Sequence, residues 1–408
     1  MQRHAAKGTS IMAKMKKRKD GRYQMNVYVG KDDSGKSRYK TVYGKSQKEV
    51  KEKADEIKIK VGKGLDLLNA GITFEELIHR WKTYKEPLLR EQQLKDYLVA
   101  LKPFKPLYGR QIGKLIKSDF QAIINDYAIQ NPNTGKPTAR STLRSYRMAA
   151  RQVIDYAVEN RILDFNPLDY VQIPNSSPGK RRRALTEEEQ QWIINTEHRA
   201  QLPAMIMMLS GLRLGECLAL QWRDIDLNNA DIYVHQKLLY KQSPPKVVSG
   251  AKSEAGIRHV HIPKLLVRFL KEQPAHNPED YVVLSAHGKL YSATSWRTVW
   301  NSFLLTLNVK YGDFSAYEKQ YKSKFDPAGV PFVIESFSAH YLRHTHATNL
   351  FHCGKDILYV QQQLGHTKPE TTLNIYTHLV QTHNISKTNK VISFDKYLEK
   401  LSAEKKKA

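Results

Sequence analysis

The chain has 408 residues, 40% of them hydrophobic, enough for two or three domain cores and too many for one. Its 66 Lys and Arg against 40 Asp and Glu leave a formal charge of +26, so a polyanion is the expected partner, nucleic acid before a membrane surface. The longest apolar run, at 204–209, falls far short of the roughly 18 residues that span a bilayer. No apolar stretch follows the basic N-terminus as in a secretory signal, and Cys217 and Cys353 alone cannot build a disulfide framework; a soluble protein of a reducing cytoplasm is expected.

Residues 1–60 hold 18 Lys and Arg but 7 Asp and Glu. Within them "RYQMNVYVG" and "SRYKTVYG", separated by the turn-forming "KDDSGK", predict two β-strands, and "SQKEVKEKADEIKIK" predicts a short helix. Residues 1–65 are therefore read as a basic β-sheet module that meets DNA through Arg22, Tyr23, Arg38 and Lys40, since β-ribbons read grooves, rather than as a solvated arm. A helical unit is expected over 70–172. It opens on a capping-box pattern of Thr73 and Glu76, with Phe74, Leu77, Ile78 and Trp81 at helical spacing. Further helices are expected to start at the caps Ser118 and Ser141. In the last of these Arg140, Arg144, Arg147 and Arg151 share one stripe with no acid between them, which predicts phosphate-backbone contact.

Residues 173–185 read as a linker whose four successive cations, Lys180, Arg181, Arg182 and Arg183, can lie on phosphate where the chain crosses a duplex. A third domain is expected over 186–395, opened by the capping box of Thr186 and Glu189, with helices through 223, strands near 231–240 and 257–263, then mainly helices, and a basic tail over 396–408. Arg213 lies in a segment apolar enough to be buried, and a buried guanidinium needs a partner, for which Glu216 is placed; a purely structural pair is the equal alternative. Lys252 falls in a turn between two strands, ahead of Arg258. His340, Arg343, His344, His346, His352 and Cys353 crowd one short stretch, but their spacing fits neither the structural zinc patterns nor H-E-x-x-H, so no metal is expected. His340 and Arg343, three apart, can present a base and a guanidinium to one phosphate. Tyr376, taken alone, is a packing tyrosine.

In order along the chain, "GLRLGE" with "LALQWRDID", a turn lysine before "IRHVHIP", then "HYLRHT", "LGH" and "TLNIYTH" resemble the tyrosine recombinases, in particular integrases of phages and conjugative transposons. The resemblance implies a multidomain fold: a small N-terminal β-sheet plus helix arm-binding module, an all-α, SAM-like core-binding domain and a mainly α, mixed α+β catalytic domain. It further implies a site-specific recombinase that integrates or excises a mobile element through a 3′-phosphotyrosyl intermediate. Tyr376 would be the nucleophile, Arg213 and Arg343 would hold the phosphate oxygens, and Lys252 would protonate the leaving 5′-oxygen. His340 would be the base, His366 a phosphate donor and Glu216 a support behind the arginines. Implied with these are double-stranded DNA with core and arm-type sites, a homotetramer, an accessory excision or bending factor, no metal, no ATP, no membrane, and action in a prokaryotic cytoplasm on the nucleoid. The alternatives are a type IB topoisomerase and a DNA-binding regulator that has lost catalysis.

Overall fold

The computed structural model describes residues 15–31, 34–67, 69–175, 183–250, 256–274, 276–317, 329–366, 369–370, 372–373 and 393–403. The chain divides into two compact units between Arg181 and Arg182.

In the first unit, β1 (Tyr23–Lys31) and β2 (Ser37–Gly44) form an antiparallel ribbon. Strand alternation turns Val27 and Val42 onto α1 (Gln47–Gly62), where they close a small core with Val50 and Ala54. Tyr23, half-buried, packs against that core. The outward face carries Gln24, Asn26, Tyr28, Tyr39, Thr41 and Tyr43, all exposed. Arg22 reaches over the Tyr43 ring and pairs with Asp20 at 3.0 Å. Arg38 and Lys40 are exposed on β2, opposite Gly30 and Val27.

Beyond it, α2 (Phe74–Lys85), α3 (Glu91–Leu101), α4 (Lys117–Ile129) and α5 (Arg140–Glu159) enclose a second core of Phe74, Leu77, Trp81, Phe104, Phe120, Ile124, Val153 and Ile154. Thr73 caps α2 by accepting the Glu76 N–H. The other two expected caps are corrected. Helix α4 starts one residue before Ser118, its first turn closed by Asp119, whose carboxylate accepts the Ile116 N–H at 2.9 Å. Helix α5 is already helical at Arg140, so Ser141 sits inside it. The arginine stripe is also not free of acids. Arg151 pairs with Asp169 at 2.7 Å and with Asp155 at 3.4 Å, while Arg147 donates to the carbonyls of Leu168 and Asp169. These two arginines brace the turn after α5, which leaves Arg140 and Arg144 as the stripe's unpaired cations among the described residues.

The second unit begins with α6 (Glu187–Ile194), capped reciprocally by Thr186 and Glu189, followed by α7 (Gln201–Ser210) and the single-turn α8 (Leu214–Cys217). Strands β3 (Ile225–Asp226), β4 (Asp231–Val234) and β7 (Arg258–His261) form one antiparallel sheet. A separate hairpin joins β5 (Gln236–Leu239) and β6 (Lys246–Ser249). Helices α9 (Lys264–Lys271), α10 (Ala293–Tyr311), α11 (Ala339–His352), α12 (Ile357–Leu364) and α13 (Phe394–Ala403) complete the unit. Helix α7 runs through its centre, buried from Pro203 to Ser210, and α11 packs along it. Among the described residues no helix is long and apolar enough to cross a membrane.

Two expectations change here. Arg183 does not lie open for phosphate: its guanidinium is held by both carboxylate oxygens of Glu189, each at 2.6 Å, and its Nε donates to Glu335 at 2.9 Å. Lys180, Arg181 and Arg182 lie outside the described residues. The expected tail over 396–408 starts inside α13, whose Leu398 and Leu401 are buried in the main core and whose Asp395 accepts the Lys264 N–H at the start of α9. Within the stretch ahead of α11 that has no reading from sequence, residues 331–334 are pinned by the fully buried Asn308. Its amide donates to the Pro331 carbonyl and accepts from the Val333 and Ile334 N–H groups.

Candidate active site

The motif that starts the site is a helix end. Gly211 terminates α7 in the left-handed region (φ 69°), and a β-carbon there would stand 2.7 Å from the His346 ring and 2.8 Å from Leu364. Glycine is therefore required for both reasons. The turn delivers Arg213 to the N-cap of α8, where Nη1 meets Glu216 at 2.7 Å and Nη2 donates to the Gly365 carbonyl at 2.9 Å. Contrary to the expectation from its apolar neighbours, the Arg213 side chain is 41% exposed.

The buried guanidiniums are two others. Arg343, on α11, is 4% exposed and donates to the Gly211 carbonyl at 2.6 Å and the Leu364 carbonyl at 2.5 Å. Arg258, at the start of β7, has a side chain only 7% exposed and donates to Glu216 at 3.0 Å and to the Gln363 carbonyl at 2.9 Å. Arg258 is the residue that sequence reasoning missed. Its signal was present in strand alternation, which places Arg258 on the same face as Val260 and Ile262, both buried.

Arg213, His340 and Arg343 line one cleft of about 440 Å³, walled on its far side by Trp296 and Trp300, stacked at 5.5 Å, with Tyr240, Arg297 and Asn301. His340 is exposed at the cleft, whereas His346, less than two turns further along α11, is fully buried beside Gly211 and against Phe394. The histidines of this helix diverge, and among the described residues no group of three or more His, Cys, Asp or Glu side chains is placed to hold a metal ion. His366 follows α12 directly, and its Nδ1 lies 2.8 Å from the Thr372 hydroxyl. Lys252 and Tyr376 lie outside the described residues. Thr372, four positions before Tyr376 in the sequence, is buried.

The electrostatics describe a cavity with surplus positive charge. Burial pulls the Arg343 guanidinium down to about 9, helped by repulsion from Arg213 and Arg258 and opposed by Glu216, which still leaves it charged at neutral pH. Burial and the same three arginines, with His340, push His366 down to about 3, so its ring is neutral. Glu216 is the counterweight: burial would raise its carboxyl, but Arg258 and Arg213 together hold it at about 2. A carboxylate so lowered contributes stability that is complete above its unfolded value of 4.5 and is lost as pH falls toward 2. Wild-type stability is expected to drop across that window by roughly 3 kcal/mol more than that of Glu216→Gln, read from urea unfolding at a series of pH values.

An anion in this cleft would relieve the repulsion among the guanidiniums, and each of Arg213 and Arg343 keeps N–H donors beyond those already bonded. Residues 183–383 match the phage integrase family. The chain is similar to a tyrosine recombinase XerC-like protein of Caldanaerobacter subterraneus subsp. tengcongensis, 27% identical over 90% of this chain and 94% of that protein. Its fold is similar to that of the Tn1549 transposon integrase, solved with transposon right end DNA (TM-score 0.57, 17% identity, 81% of this chain and 98% of that one). It is likewise similar to lambda integrase, solved as a tetramer on a Holliday junction (TM-score 0.52, 16% identity, 88% and 97%). With the motifs in family order and two of its arginines and a histidine lining one cleft, the chain belongs to the tyrosine recombinases, site-specific recombinases that cut and rejoin DNA strands.

Proposed function

We propose that this recombinase works through Tyr376 as nucleophile, with the scissile phosphate seated in the cleft of Arg213, His340 and Arg343. The observation that supports the reading most is the convergence of those three side chains on one cavity, with His366 beside it. The Tyr376 hydroxyl oxygen attacks phosphorus while the bond to the 5′-oxygen breaks, leaving a 3′-phosphotyrosyl link and a 5′-hydroxyl. His340 takes the phenol's proton, and Lys252 gives one to the departing 5′-oxygen. A phenol, with its pKa near 10, needs both a base and a cationic field to attack at neutral pH.

The phosphate gains negative charge as the nucleophile adds, so guanidiniums aimed at its oxygens favour the transition state over the ground state. The arginines thereby carry the charge stabilisation that a divalent ion supplies in other phosphoryl-transfer sites, and the proposal needs no metal. ATP is not required either, because the covalent link conserves the phosphodiester energy and the 5′-hydroxyl of another strand reseals it. The neutral His366 can accept a hydrogen bond from the Thr372 hydroxyl at Nδ1, which presents Nε2–H to a phosphate oxygen.

The integrase structures bound to DNA support reading this chain as a homotetramer that exchanges strands of two duplexes to integrate or excise a mobile element; action in the cytoplasm of a prokaryote, with an accessory excision or bending factor, is part of the same proposal. The helical unit, with Arg140 and Arg144 unpaired among the described residues, suits the core site. The β1–β2 ribbon, with Arg22 and the outward tyrosines, suits an arm-type site. Since phosphate neutralisation releases counterions, affinity for a cognate duplex is expected to fall by about a hundredfold or more between 50 and 200 mM salt, by titration at several ionic strengths. A flat dependence would contradict the charge argument. The function itself is tested by a nicked suicide duplex carrying the crossover site, which should trap a covalent protein–DNA adduct.

A further inference from the structure

The last carbonyls of a helix lack intrahelical partners. At the end of α12 a left-handed Gly365 (φ 62°) lets its own N–H bond to Gln362 and the His366 N–H bond to Gln361, which satisfies two of them. The next three in sequence are each taken by a different arginine: Gln363 by Arg258 at 2.9 Å, Leu364 by Arg343 at 2.5 Å and Gly365 by Arg213 at 2.9 Å. Glu216 ties the first and third together, one carboxylate oxygen to each. The negative end of the helix dipole faces these three cations, which lowers the repulsion of holding them side by side.

Arg258 differs from the other two. All three of its nitrogens are bonded within the protein, Nε to Gln363, Nη1 to the Gly256 carbonyl at 3.3 Å and Nη2 to Glu216. It does not line the cleft that Arg213, His340 and Arg343 share. We infer that Arg258 is a positioning residue for strand cleavage, which acts by locking Glu216 and the end of α12 so that Arg213 and Arg343 reach the scissile phosphate in register. Its planar fork is what the role requires, because a lysine ammonium cannot meet a carboxylate and two carbonyls in those directions at once.

The inference rests on the phosphate-binding role proposed above for the two clamp arginines. Full-length wild type, Arg258→Met and Arg258→Lys are compared for affinity and for the single-turnover rate of adduct formation on the suicide duplex. The same duplex is then used with an uncharged methylphosphonate at the scissile position. Affinity is expected within about twofold of wild type, and cleavage of the phosphodiester slower by about tenfold or more. On the methylphosphonate, where less charge needs holding, the defect is expected to shrink to within about threefold of wild type. Wild-type cleavage rates in both variants, or an equal defect on the charged and uncharged substrates, would overturn the inference. If Arg258→Met does not fold, Arg258→Lys carries the same comparison. The nucleophile assignment fails separately, on the behaviour of Tyr376→Phe.

Discussion

Tyr376→Phe is expected to abolish the trapped adduct and leave affinity for the crossover duplex essentially as it was. Phenylalanine removes the attacking oxygen and keeps the ring, so no residual nucleophile stands at that position, and adduct formation should fall on the order of 10⁴-fold or more. Binding rests on many phosphate contacts, and loss of one neutral hydroxyl shifts it by no more than about 0.5 kcal/mol. Denaturing gels for the adduct and mobility shifts for binding read the two quantities on one preparation. Persistence of the adduct in the variant would mean that another side chain attacks, and the reading of the cleft would have to move with it. Thr372, four positions earlier in the sequence, is buried, and its hydroxyl lies 2.8 Å from His366 Nδ1.

How legible the molecule is in its sequence depends on the range over which each feature is decided. The capping box of Thr186 and Glu189 and the apolar spacing after Thr73 are local, and both show in the structure as read. Ser118 and Ser141 show the limit of that kind of reading, because a serine caps only if the chain is not already helical, and at Arg140 it is. Charge runs are harder. Asp155 was visible one turn beyond Arg151, but Asp169 comes to the stripe only through the turn after α5, and Glu335 reaches Arg183 from a distant part of the chain.

Burial falls on other arginines than the one whose neighbours in sequence are apolar. An apolar sequence around Arg213 describes the helix that precedes it, whereas α8 turns that side chain out into the cleft and the sheet turns Arg258 in. The hub at the end of α12 could not be read at all, since backbone carbonyls carry no residue signature. Gly365 alone hinted that a helix stops there.

The contrast in burial between the two clamp arginines separates their roles in stability from their shared role in chemistry. Arg213→Lys and Arg343→Lys are both expected to slow adduct formation by about 10²–10³-fold, because an ammonium cannot span two phosphate oxygens as a forked guanidinium does. Their unfolding should differ. The Arg213 side chain is 41% exposed, and a lysine there can still meet Glu216, so the midpoint of urea unfolding should stay close to wild type. Arg343 is buried, and its loss strands the Gly211 and Leu364 carbonyls away from water, each worth about 1–3 kcal/mol when left unpaired. Arg343→Lys is therefore expected to be visibly less stable as well as slow. Equal midpoints for the two variants would mean that Arg343 does not hold the Gly211 and Leu364 carbonyls in place, whereas a cleavage defect in Arg343→Lys that tracks its stability alone would mean that it holds helix ends together without holding a phosphate.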